Sequence, residues 1–436
     1  MNFKTVFSIC QPTSWLTNFT YADKMQFHGE SEVLTQVQQQ STTHNFLLEI
    51  HMTSSYRSPW MTEELDMLRE TARRFFENEV APRAEKSRHQ HHLDREVWEK
   101  AGELGLLCMS IPQEYGGMGA SFAHEVIMME EQARICDTTF GFIPGALNSP
   151  GFFHGTATPE QLQKWMPEIA MGKKMIAVAI TEPDAGTDVK ALRTSARREG
   201  DEYVLNGNKI FCTLGDQADL VLVAARTGDA GSGAKGISLF MVEKAKCPGF
   251  KINKLIDKIG QNALNTAEIF MEDARVPAEN LIGGVEGKGF FQLMDVFTRE
   301  RLSIGIVGIA CAERAIELTI EHAKNRKMMG QTLWDFQNTK FVLAECATEA
   351  RIGRVFMDQI IKDLVNGKSL QPNDAMMAKW WGSEKQCEII DRCLQLFGGY
   401  GYCTEYPIAQ LYMDARVAKI YGGSNETLKD VIARSM

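Results

Sequence analysis

One carboxylate in the sequence stands where a carboxylate is costly. Residues 290–329 repeat apolar side chains at intervals of three and four, which is typical of a long, buried amphipathic helix. Glu300 falls on the apolar face of that helix, between Phe297 one turn before it and Ile304 one turn after it. Such a group is either paired internally, with Arg301 as the nearest candidate, or it is an acid or base with a raised pKa. The helix by itself favours the structural pair.

Three loops carry further groups that could contact a ligand. Residues 181–188, TEPDAGTD, follow an apolar strand and combine hydroxyls with backbone N–H groups, which can donate to an oxygen-rich ligand or simply form a polar turn. Residues 397–401, FGGYG, allow a close approach of backbone to a ligand or end a helix. Ser424 and Asn425 stand at the predicted start of the last helix, a position that favours an anion or a polarised carbonyl. A dinucleotide fingerprint G-x-G-x-x-G directly after a strand is absent from the sequence, and so is a P-loop.

Three segments of different periodicity must position these residues. Residues 58–174 are helical in pattern, residues 175–284 contain six short β-rich segments, and residues 285–436 are helical again. Asn206-Gly207 is the strongest hairpin signal among the β-rich segments. The predicted fold class is therefore α+β and multidomain, with an N-terminal α-helical domain, a central antiparallel β-sandwich or barrel, and a C-terminal α-helical bundle.

Composition excludes several classes of function. The 436 residues are 44% hydrophobic and carry a net charge of −9, which argues against broad nucleic-acid binding. The ten cysteines have no metal-type spacing and indicate reduced thiols of an intracellular protein. His89, His91 and His92 lie in a very polar stretch that favours a solvated helix end over a metal site, so no metal is predicted. No apolar run is long enough to cross a membrane, and membrane insertion is not expected.

The first 57 residues differ from the rest. Gln- and Thr-rich text follows a short apolar patch, and the segment has neither the basic start of a secretory signal nor the arginines of a mitochondrial presequence. We predict that residues 1–57 are a disordered extension and that residues 1–51 are dispensable. The expected location is the bacterial cytoplasm, with the mitochondrial matrix as the alternative.

Seven motifs in one order resemble the acyl-CoA dehydrogenase family, from about Met61 to the C-terminus. They are IPQEYGGMG, AITEPDAGTDV, LNGNKIFCT, ERL in the long helix, NRKMMGQTLWDFQ, QLFGGYGY and IYGGSNE. The last two lie in a tail that is especially similar to the long-chain branch of the family. The resemblance implies a helical–β–helical subunit that binds FAD and assembles as a homotetramer, a dimer of dimers.

The resemblance also assigns residues to FAD. The loop from Val178 to Thr187 would lie along the flavin ring, and the segment at Phe211 would flank its other side. Phe211 stands where the family usually has Trp, Cys212 replaces Ile or Ser, and Glu426 replaces Gln. The segment 395–399 would come from the neighbouring subunit. The complete assigned set is Val178, Ala179, Ile180, Thr181, Gly186, Thr187, Phe211, Cys212, Thr213, Arg326, Gln337, Gln395, Leu396, Phe397, Gly398, Gly399, Ser424 and Glu426.

The reaction implied is α,β-dehydrogenation of an acyl-CoA thioester, with electrons passed to electron-transfer flavoprotein. Most family members carry the catalytic Glu directly after the Tyr of the IYxG loop, where this chain has Gly422. A minority, resembling the isovaleryl and long-chain enzymes, place that Glu on the long helix before an Arg. Glu300-Arg301 fits the minority pattern, and we therefore predict Glu300 as the catalytic base. The predicted substrate contacts are Thr187, Arg301, Gly422 and Gly423.

Two alternatives remain open at the level of sequence. The first keeps fold and flavin but changes the substrate to a terpenoid acyl-CoA or a nitroalkane, or the electron acceptor to O₂. The second is a non-enzymatic assembly protein, which has no need for the intact Glu300, Arg326 and Gln337. The leading expectation is a dehydrogenase of long-chain or branched acyl-CoA, because Gly422 and Gly423 remove bulk from the loop.

Overall fold

Six α-helices form the first part of the chain that the structure describes, as the apolar spacing predicts. The structure is a computed structural model, and it describes residues 56–436. The predicted extension lies almost wholly outside these residues. Thr62 caps the first helix by accepting a hydrogen bond from Leu65 N. The helices are Glu63–Phe75 (α1), Ala84–Gln90 (α2), Arg95–Glu103 (α3), Phe122–Arg134 (α4), Ser149–His154 (α5) and Pro159–Ala170 (α6).

A seven-stranded sheet follows these helices in the chain. Its strands are Ile176–Ala179 (β1), Ser195–Glu199 (β2), Glu202–Thr213 (β3), Leu220–Arg226 (β4), Ile237–Glu243 (β5), Phe250–Leu255 (β6) and Thr266–Pro277 (β7). The strand order is β1-β4-β2-β3-β7-β6, and β5 also pairs with β4. Most pairs are antiparallel, whereas β1 runs parallel to β4 with Ile176 opposite Leu220. The predicted α+β fold class, with a β-domain between two helical regions, is confirmed.

Two details of the predicted sheet are wrong. Asn206-Gly207 does not form a hairpin turn but lies inside β3, at a break in register with β7. A Cβ atom on Gly207 would lie 2.7 Å from Thr194 Cα, so the glycine serves a close approach of two backbones rather than a turn. The strand β2 was not predicted, because Ala196 is its only buried residue and the apolar alternation of a strand is missing.

Five helices complete the described chain. They are Gly289–Asn325 (α7), Gln337–Val365 (α8), Pro372–Phe397 (α9), Pro407–Ala415 (α10) and Asn425–Arg434 (α11). The long helix ends at Asn325 instead of at Met329, because Met329 and Gly330 adopt positive φ angles of 50° and 81°. They form the turn between two short strands, Lys327–Met328 (β8) and Gln331–Thr332 (β9). The predicted domain boundaries fall in the connections ahead of Ile176 and ahead of Gly289, and they stay predictions.

Helices α7 and α9 are packed backbone to backbone. A Cβ atom on Gly305 would lie 2.5 Å from Ala378 O, and one on Gly382 would lie 2.5 Å from Gly305 O. Further along both helices, the rings of His322 and Phe397 stack with their centroids 4.1 Å apart. The two helices therefore run side by side in the same direction. No helix of residues 56–436 is long and apolar enough to span a membrane.

Candidate active site

Glu300 lies on α7 as an uncompensated carboxylate. Among residues 56–436 no hydrogen-bond donor and no ion-pair partner contacts it, so the expected structural pair with Arg301 is not formed. Burial raises the pKa of Glu300 to about 7, against the opposing charges of Arg301 and Lys379. A carboxyl group with this pKa is half protonated near neutral pH, which suits it to exchange a proton with a substrate.

The loop that contains Gly422 lies directly against α7. Arg301 Nε donates a hydrogen bond to Gly422 O at 3.3 Å. A Cβ atom on Gly422 would lie 2.6 Å from Ile304 Cδ1, and Gly422 has a φ angle of 65°. A side chain at position 422 is therefore opposed by the backbone conformation, whereas the flexible end of Ile304 could move aside. The structure thus brings together the helix that carries Glu300 and the loop that lacks a glutamate.

The N–H groups of this loop are free to bind a ligand. Within the described part of the chain, no acceptor lies within hydrogen-bonding distance of the N–H of Gly422 or Gly423. Ser424 caps α11 by accepting from Thr427 N, and Glu426 is exposed in the first turn of that helix. This loop can donate backbone hydrogen bonds to a carbonyl oxygen beside α7.

The loop after β1 is fixed by a buried ion pair, and its threonine hydroxyls remain available to a ligand. Lys209 Nζ donates to Ile180 O at 2.9 Å and to Glu182 Oε1 at 2.8 Å. Both side chains of this ion pair are buried. Glu182 also accepts from the backbone N–H groups of Arg193 and Thr194. These contacts hold the loop in place. They do not involve the hydroxyls of Thr181 and Thr187, which have no hydrogen-bond partner among the described residues.

Phe211 is turned outward by a break in the sheet. The register of β3 against β7 shifts between Lys209 and Cys212, and Phe211 adopts a positive φ of 61°. Its ring is 60% exposed, whereas the neighbouring Cys212 is buried. A bulky residue held in a left-handed conformation is strained, and such strain is concentrated at ligand sites. The exposed aromatic face beside the loop after β1 can stack on a planar ring.

The remaining predicted cofactor residues form a second group at the far end of α7. Arg326 is exposed directly after α7, and its guanidinium lies 5.2 Å from the Tyr400 ring centroid. Gly398 and Gly399 have open space where a Cβ would stand, and Gln337 begins α8 nearby. His322 Nε2 is buried without a hydrogen-bond partner. A cation, open glycines and exposed N–H groups suit a pyrophosphate.

The second group lies far along α7 from Glu300. Arg326 follows Glu300 by 26 residues of the same helix, which at 1.5 Å per residue is about 39 Å. The first group offers an aromatic face and hydroxyls for a flavin ring, and the second offers charge and open backbone for phosphates. Both groups fit parts of FAD. The assignment of individual residues stays a prediction.

A helical segment with an irregular backbone lies next to the reactive part of α7. Residues Phe142–Asn148 form a π-helix that leads into α5. The Phe152 ring contacts the Phe297 ring edge to face at 5.5 Å between centroids. A Cβ on Gly155 would lie 3.3 Å from Val296, whereas Gly151, one turn earlier on the same face, has nothing within 4 Å. The face of α5 that meets α7 at Gly155 is therefore open at Gly151.

Some residues around Glu300 were missed or misjudged from the sequence. Helical spacing places Arg299 one turn from Asp295, but the Arg299 guanidinium contacts the buried carboxylate of Glu125 and donates to Ser110 Oγ at 3.1 Å. Lys379 was not predicted, although it stands among apolar residues of α9 just as Glu300 does on α7. The same criterion, a charge in apolar register, would have found it.

Comparison with known proteins gives one consistent match. Three family models cover nearly all of the described chain: the acyl-CoA dehydrogenase N-terminal domain over residues 62–173, the middle domain over 177–274 and the C-terminal domain over 287–436.

Relatives match over most of their own length. The chain is 42% identical over 376 residues to the mitochondrial long-chain specific acyl-CoA dehydrogenase of Mus musculus, covering 86% of this chain and 87% of that protein. It is 36% identical to the short-chain specific acyl-CoA dehydrogenase of Clostridium acetobutylicum, covering 86% and 98%. The solved structure of an acyl-CoA dehydrogenase from Geobacillus kaustophilus superposes with a TM-score of 0.83 at 39% identity, covering 87% and 99%.

Proposed function

The chain belongs to the acyl-CoA dehydrogenase family of FAD-dependent oxidoreductases, and on that premise we propose that it converts an acyl-CoA thioester to the trans-2-enoyl-CoA with Glu300 as the base. The observation that carries the proposal is the Glu300 carboxylate, which has no partner among the described residues. It lies beside a loop that has no side chain at position 422 because that residue is glycine. These two features are complementary, because the reaction needs one base. In this family that base stands either on the long helix or in the loop.

Glu300 removes the α proton of the bound thioester. Desolvation in its partly buried position raises its pKa to about 7, which makes the carboxylate a stronger base than an exposed one. Arg301 and Lys379 are close enough to prevent a still higher pKa, so a useful fraction of the group is ionised at neutral pH. The acidic limb of the pH–rate profile should therefore lie near pH 7.

The thioester oxygen gains negative charge as the α proton leaves and needs hydrogen-bond donors. The N–H groups of Gly422 and Gly423 are available for this, since no protein acceptor in the described chain uses them. Arg301 donates a hydrogen bond to the carbonyl oxygen of Gly422. Its guanidinium has further N–H groups that can donate to the CoA part of the substrate.

The chemistry that bound FAD supplies is the acceptance of the β hydrogen and its two electrons. Thr181 and Thr187 would donate to the flavin ring, and Phe211 would stack on it. Arg326, Gln337 and the 395–399 segment would hold the pyrophosphate and adenosine of FAD bound mainly to a neighbouring copy, within a homotetramer. This arrangement is supported by the length of α7, which separates the two groups in one chain.

Substrate and electron acceptor complete the proposal. Gly151, Gly422 and the open space between α5 and α7 favour a long or branched acyl chain over a short one. The electrons are passed to electron-transfer flavoprotein. Citronellyl-CoA in a substrate panel tests a terpenoid acyl-CoA, a nitroalkane added to that panel tests the other substrate, and admitting air to the reduced flavin tests O₂ as acceptor.

The test is anaerobic bleaching of the FAD-loaded protein by acyl-CoAs from butyryl to stearoyl, with isovaleryl- and citronellyl-CoA included. We expect Glu300→Gln to retain FAD and to reduce it at least about a thousandfold more slowly than the wild type. Glu405→Gln, which changes an exposed carboxylate outside the predicted site, is the matched control and should retain most of the rate. Near-normal reduction in Glu300→Gln would refute the base assignment. A colourless protein with no affinity for FAD would favour the non-enzymatic assembly protein.

A further inference from the structure

A second buried charge faces Glu300 from the neighbouring helix. Lys379 on α9 has no accessible surface, although a lysine in the interior must give up the hydration of its ammonium group. The dehydrogenation proposed above gives this residue no chemical step. A buried cation without a structural carboxylate partner at ion-pair distance calls for another explanation, since among residues 56–436 no salt bridge involves Lys379.

Lys379 is tied to the loop that carries the predicted thioester donors. Its Nζ donates to Gly423 O at 2.8 Å and to Asn425 Oδ1 at 2.8 Å. Its Cε lies 3.9 Å from the position that a Cβ on Gly422 would take. Asn425 is itself fully buried and donates to Ser383 Oγ at 3.1 Å, so the loop is attached to α9 at two points.

The helix that carries Lys379 cannot shift relative to Glu300. Gly305 lies one turn after Glu300, and its backbone contacts the backbone of α9 at Ala378 and at Lys379 N. A Cβ on Gly305 would be 3.1 Å from Lys379 N. The base, the ammonium group and the loop donors are therefore fixed by one rigid contact between two long helices.

The charges around the two groups are few. Glu300 is faced by Arg301 on its own helix, by Lys379 from α9 and by Tyr421 from the loop. Lys379 is faced by Arg301 and Glu300 from α7, by Glu384 on its own helix and by Glu426 from α11.

We propose that Lys379 is a positioning residue of this site, which fixes the Gly422–Asn425 segment against α7 and places a positive charge behind Glu300. The proposal rests on the dehydrogenase function given above. Burial, Arg301 and the neighbouring carboxylates leave the pKa of Lys379 at about 8, so the charge is present at neutral pH. It favours the ionised form of Glu300 and lowers the pH at which the base becomes active.

Three variants separate the charge from the loop attachment. Lys379→Met removes both, Lys379→Arg keeps the charge, and Asn425→Ala weakens the attachment but keeps the charge. The matched control is Lys385→Met, which removes a partly exposed lysine of the same helix that pairs with Glu349 and Glu388. If Lys379→Met does not yield folded protein, Lys379→Gln replaces it, since the amide can still donate to Gly423 O.

The primary readout is the infrared carboxyl band that Glu300→Gln abolishes, followed against pH in the FAD-loaded protein. We expect the midpoint of its titration to rise by about one pH unit in Lys379→Met and to move little in Lys379→Arg and Lys385→Met. Asn425→Ala should leave the midpoint in place and raise the KM for the preferred acyl-CoA by about fivefold, as one hydrogen bond of the loop is lost.

An unmoved midpoint in Lys379→Met would overturn the proposed role of the charge. A midpoint that rises equally in Asn425→Ala would show that loop displacement, and not the ammonium charge, controls Glu300. The titration does not depend on turnover. If no acyl-CoA reduces the flavin of the wild type, the proposed function is wrong. The titration of the Glu300 infrared band still tests the role of Lys379 in that case.

Discussion

Glu300 combines two properties that a protein cannot optimise together. The burial that strengthens it as a base also makes its ionised form costly in the folded state. Its neighbour Arg301 does not neutralise it but holds Gly422 instead. Moving the base to position 422 is opposed by the positive φ angle of Gly422, which a side chain there would strain. The helix and the loop are thus adapted to one location of the base.

The first prediction concerns the pH dependence of stability. The pKa of Glu300 is raised from 4.5 to about 7 in the folded chain, so the folded state binds its proton more tightly than the unfolded state. Wild-type stability should therefore fall relative to Glu300→Gln as pH rises from about 4.5 to 7, and the difference should then stay constant. We expect Glu300→Gln to be more stable by about 1–3 kcal/mol at pH 8 and by little at pH 4.5.

Urea unfolding of the two proteins at both pH values measures this difference. Glu405→Gln, which changes an exposed carboxylate, is the control and should show little dependence. Equal stability of wild type and Glu300→Gln at pH 8 would mean that the carboxylate is not strained by burial.

At the scale of the elements, the contact between α7 and α9 determines the geometry of the site. Gly305 and Gly382 let the two backbones approach, and the loop at Gly422 is then attached to both helices through Arg301 and Lys379. No single element contains the base, its counter-charges and the backbone donors. The helices bring them together only because the glycines permit close packing.

The second prediction tests this contact with Gly382→Ala. The new methyl would lie 2.5 Å from Gly305 O, and a backbone atom cannot move aside without shifting a helix. We expect a loss of about 1–3 kcal/mol in the free energy of unfolding and slower flavin reduction with FAD retained. Gly353→Ala on α8 is the control, because its methyl would meet the flexible Ile309 side chain at 2.4 Å. A Gly382→Ala protein as stable and active as Gly353→Ala would show that the close approach is not needed.

At the scale of the whole molecule, α7 separates two sets of ligand-binding groups. The set near Glu300 suits a flavin ring and a thioester, and the set near Arg326 suits a pyrophosphate about 39 Å away. A chain alone therefore has two partial sites. The family's FAD must lie across two copies if both sets are used.

The third prediction is that two defective chains complement each other. Glu300→Gln and Arg326→Ala, each inactive or FAD-poor alone, should give active protein when they assemble together. In such a mixed pair, one site contains an intact Glu300 from one copy and an intact Arg326 from the other, and the second site contains both defects. We expect about half of the wild-type flavin reduction per pair. Absence of recovery, with mixed pairs demonstrated by tagged purification, would place both residues in one copy's site.

Much of the fold was determined by the sequence itself. Several features depend only on local periodicity and on residue type, and the sequence alone therefore shows them. They are the helical and β-rich segments, Thr62 at the start of the first helix, the carboxylate of Glu300 in an apolar pattern, and the glycine at position 422. The family, the FAD requirement and the fold class that the motifs implied were confirmed by the comparisons and the structure. The roles of individual site residues stay predictions.

Only the tertiary structure decided which distant residues meet. Asn206-Gly207 has the composition of a turn, yet packing against Thr194 places it inside a strand. Arg299 pairs with Glu125 on another helix instead of with its helical neighbour, and Lys379 meets the loop at Gly423 from a third helix. Local sequence fixes backbone preference within a few residues, but contacts across more than a hundred residues depend on how helices pack. For this reason Glu300 and Gly422 could be singled out from the sequence, whereas the contact of Lys379 with the loop at Gly423 could not.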